Sequence, residues 1–166
     1  MSDRVAIMNN GQLQQYGSPS EVYHKPTNAF VAGFIGSPSM NLLPVTITHE
    51  NGVSALQGES FRFTPKAPQL QSILRSAPHQ RLILGIRHTA IPLLPTTEPD
   101  SIPVQIYTIE PTGDLTFVHV QIGEQLIIAS TDNPDFQAQM GDKLAVKLDE
   151  NRLHLFDAET TLALTN

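Results

Sequence analysis

The sequence predicts a mainly β protein, an antiparallel barrel or sandwich, and two observations support this fold class. Apolar residues recur at every second position along several short runs, which is the periodicity of strands with one buried face. Turn-forming residues separate these runs, and the 13 prolines and 10 glycines are spread along the 166 residues. The alternating residues are Ile102, Val104 and Ile106; Thr116, Val118, Val120 and Ile122; Leu126 and Ile128; and Leu144, Val146 and Leu148.

The first elements of the chain are predicted to be a hairpin and a short helix. Residues 4–8 and 12–16 are β-prone runs on either side of Asn-Asn-Gly at 9–11, which can supply the positive φ angles of a tight turn. Ser18 and Glu21 have the spacing of a capping box, with a proline at the first helical position between them.

Two further helices are predicted. Thr27 can cap the first of these, and Gly36 and Pro38 end it. Its apolar face is formed by Phe30, Val31, Phe34 and Ile35. The second helix covers residues 69–76, where Leu70, Ile73 and Leu74 share a face.

The N-terminal elements are too small to fold alone. A two-stranded hairpin and two short helices cannot bury enough apolar surface for independent stability. We therefore expect residues 1–36 to be disordered, or to pack against a second copy of the chain by exchange of the hairpin or helix.

Four stretches carry a resemblance to a known family. Residues 2–45, SDRVAIMNNGQLQQYGSPSEVYHKPTNAFVAGFIGSPSMNLLPV, resemble the end of the nucleotide-binding domain of ABC importer ATPases of the maltose and multiple-sugar type, running into their regulatory domain. LGIRHTAI at 84–91, EPTGDLTFVHVQIG at 110–123 and NRLHLFDAETTLAL at 151–164 resemble landmarks of that regulatory domain, a pair of OB-like β modules called TOBE.

The resemblance implies two domains. Residues 1–36 would be the C-terminal remnant of an ABC nucleotide-binding domain with its linker helix, and residues 37–166 a TOBE/OB-like regulatory domain. In the family, two regulatory domains pair across a twofold axis and hold the ATPase dimer together, and some also receive regulatory proteins. The resemblance further implies a cytoplasmic location, peripheral to the inner face of the membrane, and contact with permease subunits through the ATPase domain.

No ATP-binding motif is present in the sequence. The phosphate-cradling G-x-x-x-x-G-K-[ST] loop does not occur, and the remaining catalytic motifs of the family would lie upstream of Met1. We therefore expect no catalytic, cofactor-binding or metal-binding residues in this chain. ATP and Mg are expected only in the parent ATPase that the resemblance implies.

Charge and hydropathy exclude two kinds of partner. The formal net charge is −6, and residues 98–166 hold 12 acidic residues against Lys143, Lys147 and Arg152. Nucleic-acid binding depends on clustered Lys and Arg, so we expect no nucleic-acid partner. No apolar run approaches the roughly 20 residues that span a bilayer, so we expect no direct membrane insertion.

Arg87, His88 and Asp114 are the candidate residues for a regulatory or partner contact. Arg87 matches the arginine of a G-[IV]-R-P-E-H-like motif of the family, although residues 88–90 are His, Thr and Ala where Pro, Glu and His are usual. Its planar fork suits a ligand, a carboxylate or a loop carbonyl, and a pairing within the chain is favoured. Asp114 can shape a turn or contact a neighbouring protein, and the turn is favoured.

The histidines do not predict a metal site. None of them has a partner at the i, i+4 spacing of a helical ligand pair. Strand alternation places His119 and His154 on exposed faces, opposite the apolar face.

Three functional hypotheses are compatible with these features. The leading hypothesis is the regulatory and dimerisation domain of an ABC importer ATP-binding subunit, for sugars by the branch that the sequence resembles. The alternative is a β module that binds a small ligand, an oxyanion or a sugar, although no concentrated cluster of basic and hydroxyl residues appears along the chain. An enzyme with its own active site is the least favoured.

Overall fold

The computed structural model describes residues 3–95 and 97–165; Met1, Ser2, Thr96 and Asn166 lie outside the described residues. In chain order the strands and helices are β1 (Val5–Asn9), β2 (Gln12–Gly17), α1 (Pro19–His24), α2 (Ala29–Phe34), β3 (Asn41–Glu50), β4 (Val53–Gln57), β5 (Arg62–Phe63), α3 (Pro68–Ser76), β6 (Arg81–Ile86), β7 (Leu93–Leu94), β8 (Ile102–Pro111), β9 (Thr116–Ile122), β10 (Gln125–Thr131), β11 (Lys143–Val146) and β12 (Leu153–Asp157). Short 3-10 turns cover His88–Ala90 and Glu150–Arg152.

Two antiparallel five-stranded sheets form the body of the protein. The first sheet has the order β12-β6-β3-β4-β5, and the second has the order β10-β9-β8-β11-β7. One apolar core lies between them, contributed by residues such as Leu84 and Ile86 of the first sheet and Val118, Val120 and Ile127 of the second. The predicted mainly β, antiparallel fold class is confirmed. We call this two-sheet body, residues 37–165, the two-sheet domain.

The side chain of Asn41 links the two sheets through backbone groups. From β3 it donates to the carbonyl of Ile86 at 3.1 Å, in its own sheet, and to that of Ile128 at 2.9 Å, in the other. Its amide oxygen accepts the N–H of Ile128 at 2.8 Å. One amide group therefore satisfies donors and acceptors of both sheets at their junction, as buried polar groups require.

The inner face of β10 differs from the prediction. Ile127 and Ala129 are fully buried, whereas Leu126 is 51% exposed. Gly123, at φ 60°, tightens the β9–β10 turn and sets the hairpin register, which places Ile127 opposite buried Val120. The prediction had Leu126 and Ile128 facing inward. Alternation of apolar residues shows that every second side chain is buried, but the register set by the turn decides which of the two sets that is.

The hairpin and the first helix form as predicted. The β1–β2 turn has positive φ angles at Asn10 (47°) and Gly11 (79°). The capping box is present, because the hydroxyl of Ser18 accepts the N–H of Glu21 at 3.2 Å and the N–H of Ser18 donates to the Glu21 carboxylate at 2.8 Å. The predicted helix at 69–76 is also confirmed as α3, which buries Leu70.

The cap of α2 was wrongly predicted. The side chain of Asn28, not Thr27, accepts the N–H of Val31 at 2.9 Å. The hydroxyl of Thr27 instead donates to the carbonyl of Gln14 and so ties the helix to the hairpin. The buried face of α2 also differs from the prediction, since Phe34 is exposed and the buried residues are Ala29, Val31 and Ala32.

Residues 3–36, which we call the N-terminal segment, are ordered and pack on the first sheet. Ala29 and Ala32 lie in a buried cluster with Met40 and Phe156. The backbone N–H of Ala29 donates to the carbonyl of residue 161 at 2.9 Å. The prediction of disorder is therefore wrong for these residues, because the chain's own C-terminal part supplies a surface on which the segment packs. Exchange of the hairpin or helix with a second copy stays a prediction. The domain boundary between residues 36 and 37 stays a prediction.

Candidate functional site: the Arg87 junction

Arg87 lies where the first sheet meets the N-terminal segment. It follows β6 directly and keeps an extended backbone (φ −83°, ψ 151°). Its Nη1 donates to the carbonyl of Ile35 at 2.9 Å and its Nη2 to the carbonyl of Tyr23 at 2.7 Å. Its Cζ also lies 3.6 Å from the centroid of the Tyr23 ring, a cation–π contact. We call this set of contacts the Arg87 junction.

The two carbonyls belong to the C-terminal ends of both short helices. Tyr23 lies in the last turn of α1, and Ile35 is the C-cap of α2. Carbonyls at helix ends lack acceptor partners within the helix and carry the negative end of the peptide dipoles. A planar guanidinium can serve two of them at once, whereas an ammonium group cannot match that fork. Arg87 therefore closes two helix ends and attaches both to β6.

The guanidinium is buried without a carboxylate partner. Arg87 is only 5% exposed, and burial lowers the pKa of its side chain. Within residues 3–95 and 97–165 it forms no ion pair with an acidic side chain, and its Nε is buried without a hydrogen-bond partner. Only two carbonyls and one ring face offset the cost of burying this charge. Because none of these groups carries a full negative charge, the junction keeps a positive potential.

His88 connects the junction to the second sheet. It is buried, and its Nδ1 is hydrogen-bonded to the hydroxyl of Ser130 on β10, 2.9 Å away. Its ring meets Phe117 of β9 edge-to-face, with centroids 5.2 Å apart. Burial lowers the pKa of His88, and the charges of Arg87 and Arg152 lower it further. The neutral imidazole therefore acts as a packed link between sheets.

Asp114 is not part of this junction. It is exposed in the turn between β8 and β9, next to Gly113 at φ 99°. It borders a separate cavity of about 520 Å³ with Asp132 and Asn133. Of the three predicted site residues, the structure therefore brings Arg87 and His88 together and leaves Asp114 in a turn. A contact of any of them with another protein stays a prediction.

A cavity of about 250 Å³ opens beside Arg87, between α1 and the start of β12. Its basic lining residues are His24, Lys25, Arg87, Arg152 and His154. We call it the junction cavity. The sequence alone did not reveal this cluster, because its members come from three distant parts of the chain and show no common spacing.

His154 corrects a prediction made from strand alternation. It was expected on an exposed strand face, but the structure has it half-buried, on the wall of the junction cavity. Burial, then the charges of Arg87 and His24, lower the pKa of His154 to about 4. At neutral pH the ring is therefore uncharged and available as a hydrogen-bond donor.

The described residues contain neither a metal cluster nor a membrane-spanning helix. Within residues 3–95 and 97–165, no three His, Asp or Glu side chains come together in a way that could hold a metal ion. The helices of this part of the chain are all too short or too polar to cross a bilayer.

The comparisons with known proteins agree with the resemblance seen in the sequence. Residues 36–89 match the family described as the MalK OB fold domain. The xylose/arabinose import ATP-binding protein XacK of Haloferax volcanii is 34% identical over 170 residues, which cover 100% of this chain and 43% of that protein. The chain is therefore similar along its whole length to a part of this import ATP-binding protein, and it contains a match to the MalK OB fold domain. The OB-like character predicted for the fold is confirmed with it.

Other proteins similar to this chain carry different transport names. The sn-glycerol-3-phosphate import ATP-binding protein UgpC of Escherichia coli O157:H7 is 36% identical over 160 residues, covering 96% of this chain and 43% of that protein. The chain thus spans less than half the length of these relatives. The structure also resembles that of the cytoplasmic molybdate-binding protein ModG, with a TM-score of 0.53 at 12% identity, covering 69% of this chain and 94% of that one. This last likeness concerns the fold alone.

Proposed function

We propose that this chain is the regulatory and dimerisation part of the ATP-binding subunit of an ABC importer for sugars. The match to import ATP-binding proteins along the whole chain supports the assignment to such a subunit. The observation that carries the regulatory role is the Arg87 junction. It attaches the N-terminal segment, which resembles the tail of an ATPase domain, to the central part of the first sheet.

The proposal assigns coupling, not catalysis, to these residues. The sequence has no phosphate-binding loop, so ATP and Mg would be bound by the parent subunit and not by this chain. A segment held by two charge-assisted hydrogen bonds moves with the sheet to which it is attached. Movements of the ATPase domain would therefore reach the regulatory domain, at the cytoplasmic face of the permease subunits.

Self-association is proposed through the outer face of the second sheet. Three large apolar side chains are exposed there or at its edge, Tyr107 at 54%, Leu126 at 51% and Met140 at 77%. The backbone bond from Gly141 to Ile106 brings the Met140 region beside the strand of Tyr107. We call these three residues the outer patch. In a twofold dimer, one patch of this kind serves both copies.

Light scattering of the full chain over a wide concentration range tests this proposal. We expect a mass that rises to that of a dimer, and a monomer at all concentrations for Leu126→Glu. Val53→Glu is the matched control, because Val53 is 46% exposed on the first sheet, outside the outer patch. A monomeric wild-type chain contradicts the dimerisation proposal. A Leu126→Glu variant that still dimerises contradicts the choice of surface.

A further inference from the structure

The lining of the junction cavity holds basic residues and no acidic ones among the described residues. The nearby carboxylate of Glu21 lies outside this lining, and its pKa is lowered by hydrogen bonds from Ser18 and, less strongly, by the charge of Lys25. Arg152 donates to the carbonyl and the hydroxyl of Thr89, which are both neutral acceptors. Within the described part of the chain, Lys25, Arg87 and Arg152 form no ion pair with an acidic side chain. A concentration of unpaired basic groups is unexpected in a chain of net charge −6.

Two further observations point to a ligand. The Nε of Arg87 is buried without a hydrogen-bond partner on a side chain that lines the cavity. Unsatisfied buried donors of this kind are rare in folded proteins and call for an explanation. Burial, and then the charges of Arg87 and His24, lower the pKa of His154, which lines the same cavity. The charge of Arg87 therefore acts on another residue of the same lining.

The size and donors of the cavity define the chemistry of the ligand. Its volume of about 250 Å³ is below the roughly 300 Å³ at which sites for drug-sized ligands begin. The donors in the lining are the ammonium group of Lys25, the ring of His154, and the N–H groups of Arg87 and Arg152 beyond those that already donate to backbone carbonyls and to Thr89. Such donors form their strongest hydrogen bonds with carboxylate and phosphate oxygens, and a small dianion can accept from several of them at once.

We propose that the junction cavity is a binding site for a small oxyanion, either inorganic phosphate or the phosphate group of a small monoester. The donors of the site come from both sides of the Arg87 junction, since Lys25 lies on the N-terminal segment and Arg152 lies next to β12. A bound anion would join these two parts and strengthen the attachment of the segment. This proposal does not depend on self-association through the outer patch.

Calorimetric titration of the full chain tests the site, with inorganic phosphate and glucose 6-phosphate as probes at constant ionic strength. We expect saturable binding in the wild type. Lys25→Gln and Arg152→Gln each should weaken binding roughly fivefold, the upper range for one exposed charge pair. Arg75→Gln is the matched control, because it removes one exposed positive charge from α3, away from the cavity. Tighter binding of glucose 6-phosphate identifies a monoester as the preferred source, and equal binding identifies the phosphate group alone.

An NMR titration of the His154 ring gives a readout that needs no variant. An anion in the cavity stabilises the imidazolium form, so phosphate should raise the pKa of His154 from about 4. Two results would overturn the proposal: an unchanged His154 titration at saturating phosphate, or equal phosphate affinity in the wild type and in the combined Lys25→Gln and Arg152→Gln variant.

Discussion

Arg87→Lys is expected to lower the free energy of unfolding by about 2–5 kcal/mol, through loss of one hydrogen bond and the ring contact. Each bond of the guanidinium to a carbonyl, at 2.9 Å to Ile35 and 2.7 Å to Tyr23, contributes about 1.5–3 kcal/mol. A lysine ammonium can keep only one of them. It also loses the stacked contact on the Tyr23 ring, about 0.5–2 kcal/mol.

Denaturant unfolding of the full chain measures this loss, and hydrogen exchange shows where it occurs. The amide of Ile35, which donates to Val31 in the last turn of α2, should exchange faster in the variant than in the wild type. Amides in the centre of the second sheet should lose only as much protection as the fall in the global free energy of unfolding requires. Arg75→Lys is the matched control, because Arg75 is exposed and such changes stay within about 0.5 kcal/mol.

The reasoning is refuted by a loss smaller than about 0.5 kcal/mol, the range of ordinary surface substitutions. It is equally refuted if stability falls but exchange at the ends of α1 and α2 is no faster than elsewhere. The second result would mean that Arg87 acts through the general cost of its burial and not as the attachment of the N-terminal segment.

Two further predictions concern the first sheet. Gly85→Ala should destabilise the protein by about 1–3 kcal/mol in a thermal melt, because the added Cβ would lie 2.8 Å from the buried ring of Phe156. Asp157→Asn should reduce the pH dependence of stability at both ends of the range. The Thr160 N–H and then His79 lower the pKa of Asp157 to about 2. The ionised carboxylate therefore contributes its full share of the folding stability above pH 3.8, and this share is lost as the pH falls toward 2. Asp157 in turn raises the pKa of His79. The stability that protonated His79 contributes is therefore complete below pH 6.5 and is lost as the pH rises through the raised pKa. Urea unfolding across this range would contradict the pairing if wild type and variant showed parallel profiles.

Elements whose chemistry lies within a few residues could be predicted from the sequence. The capping box of Ser18 and Glu21 and the Asn-Gly turn at residues 10 and 11 depend only on local hydrogen bonds and φ angles. The cap of α2 could not be chosen in the same way. Thr27 and Asn28 are both competent caps, and the hairpin decides between them by taking the hydroxyl of Thr27.

The candidate site could be predicted only in part, for a related reason. Arg87 stands out in the sequence because it belongs to a motif, but its partners are backbone carbonyls, which every residue carries. The packing of the N-terminal segment depends on Ala29 and Ala32, small residues that a search for large apolar faces passes over. The basic residues of the junction cavity converge only after folding, so no spacing rule could have shown them.

The N-terminal segment and the two-sheet domain meet at a closely packed joint around Gly36 and Arg87. Gly36 has φ 116°, a backbone conformation that residues with a side chain rarely adopt. A Cβ at this position would lie 2.8 Å from the carbonyl oxygen of Pro38 and 3.0 Å from Nη1 of Arg87. The positive φ angle and the close packing against Pro38 and Arg87 thus both favour glycine at this position. Because the same guanidinium also bonds to both helix ends, the segment contacts the end of β6 directly, and the regulatory role proposed for this chain needs that contact.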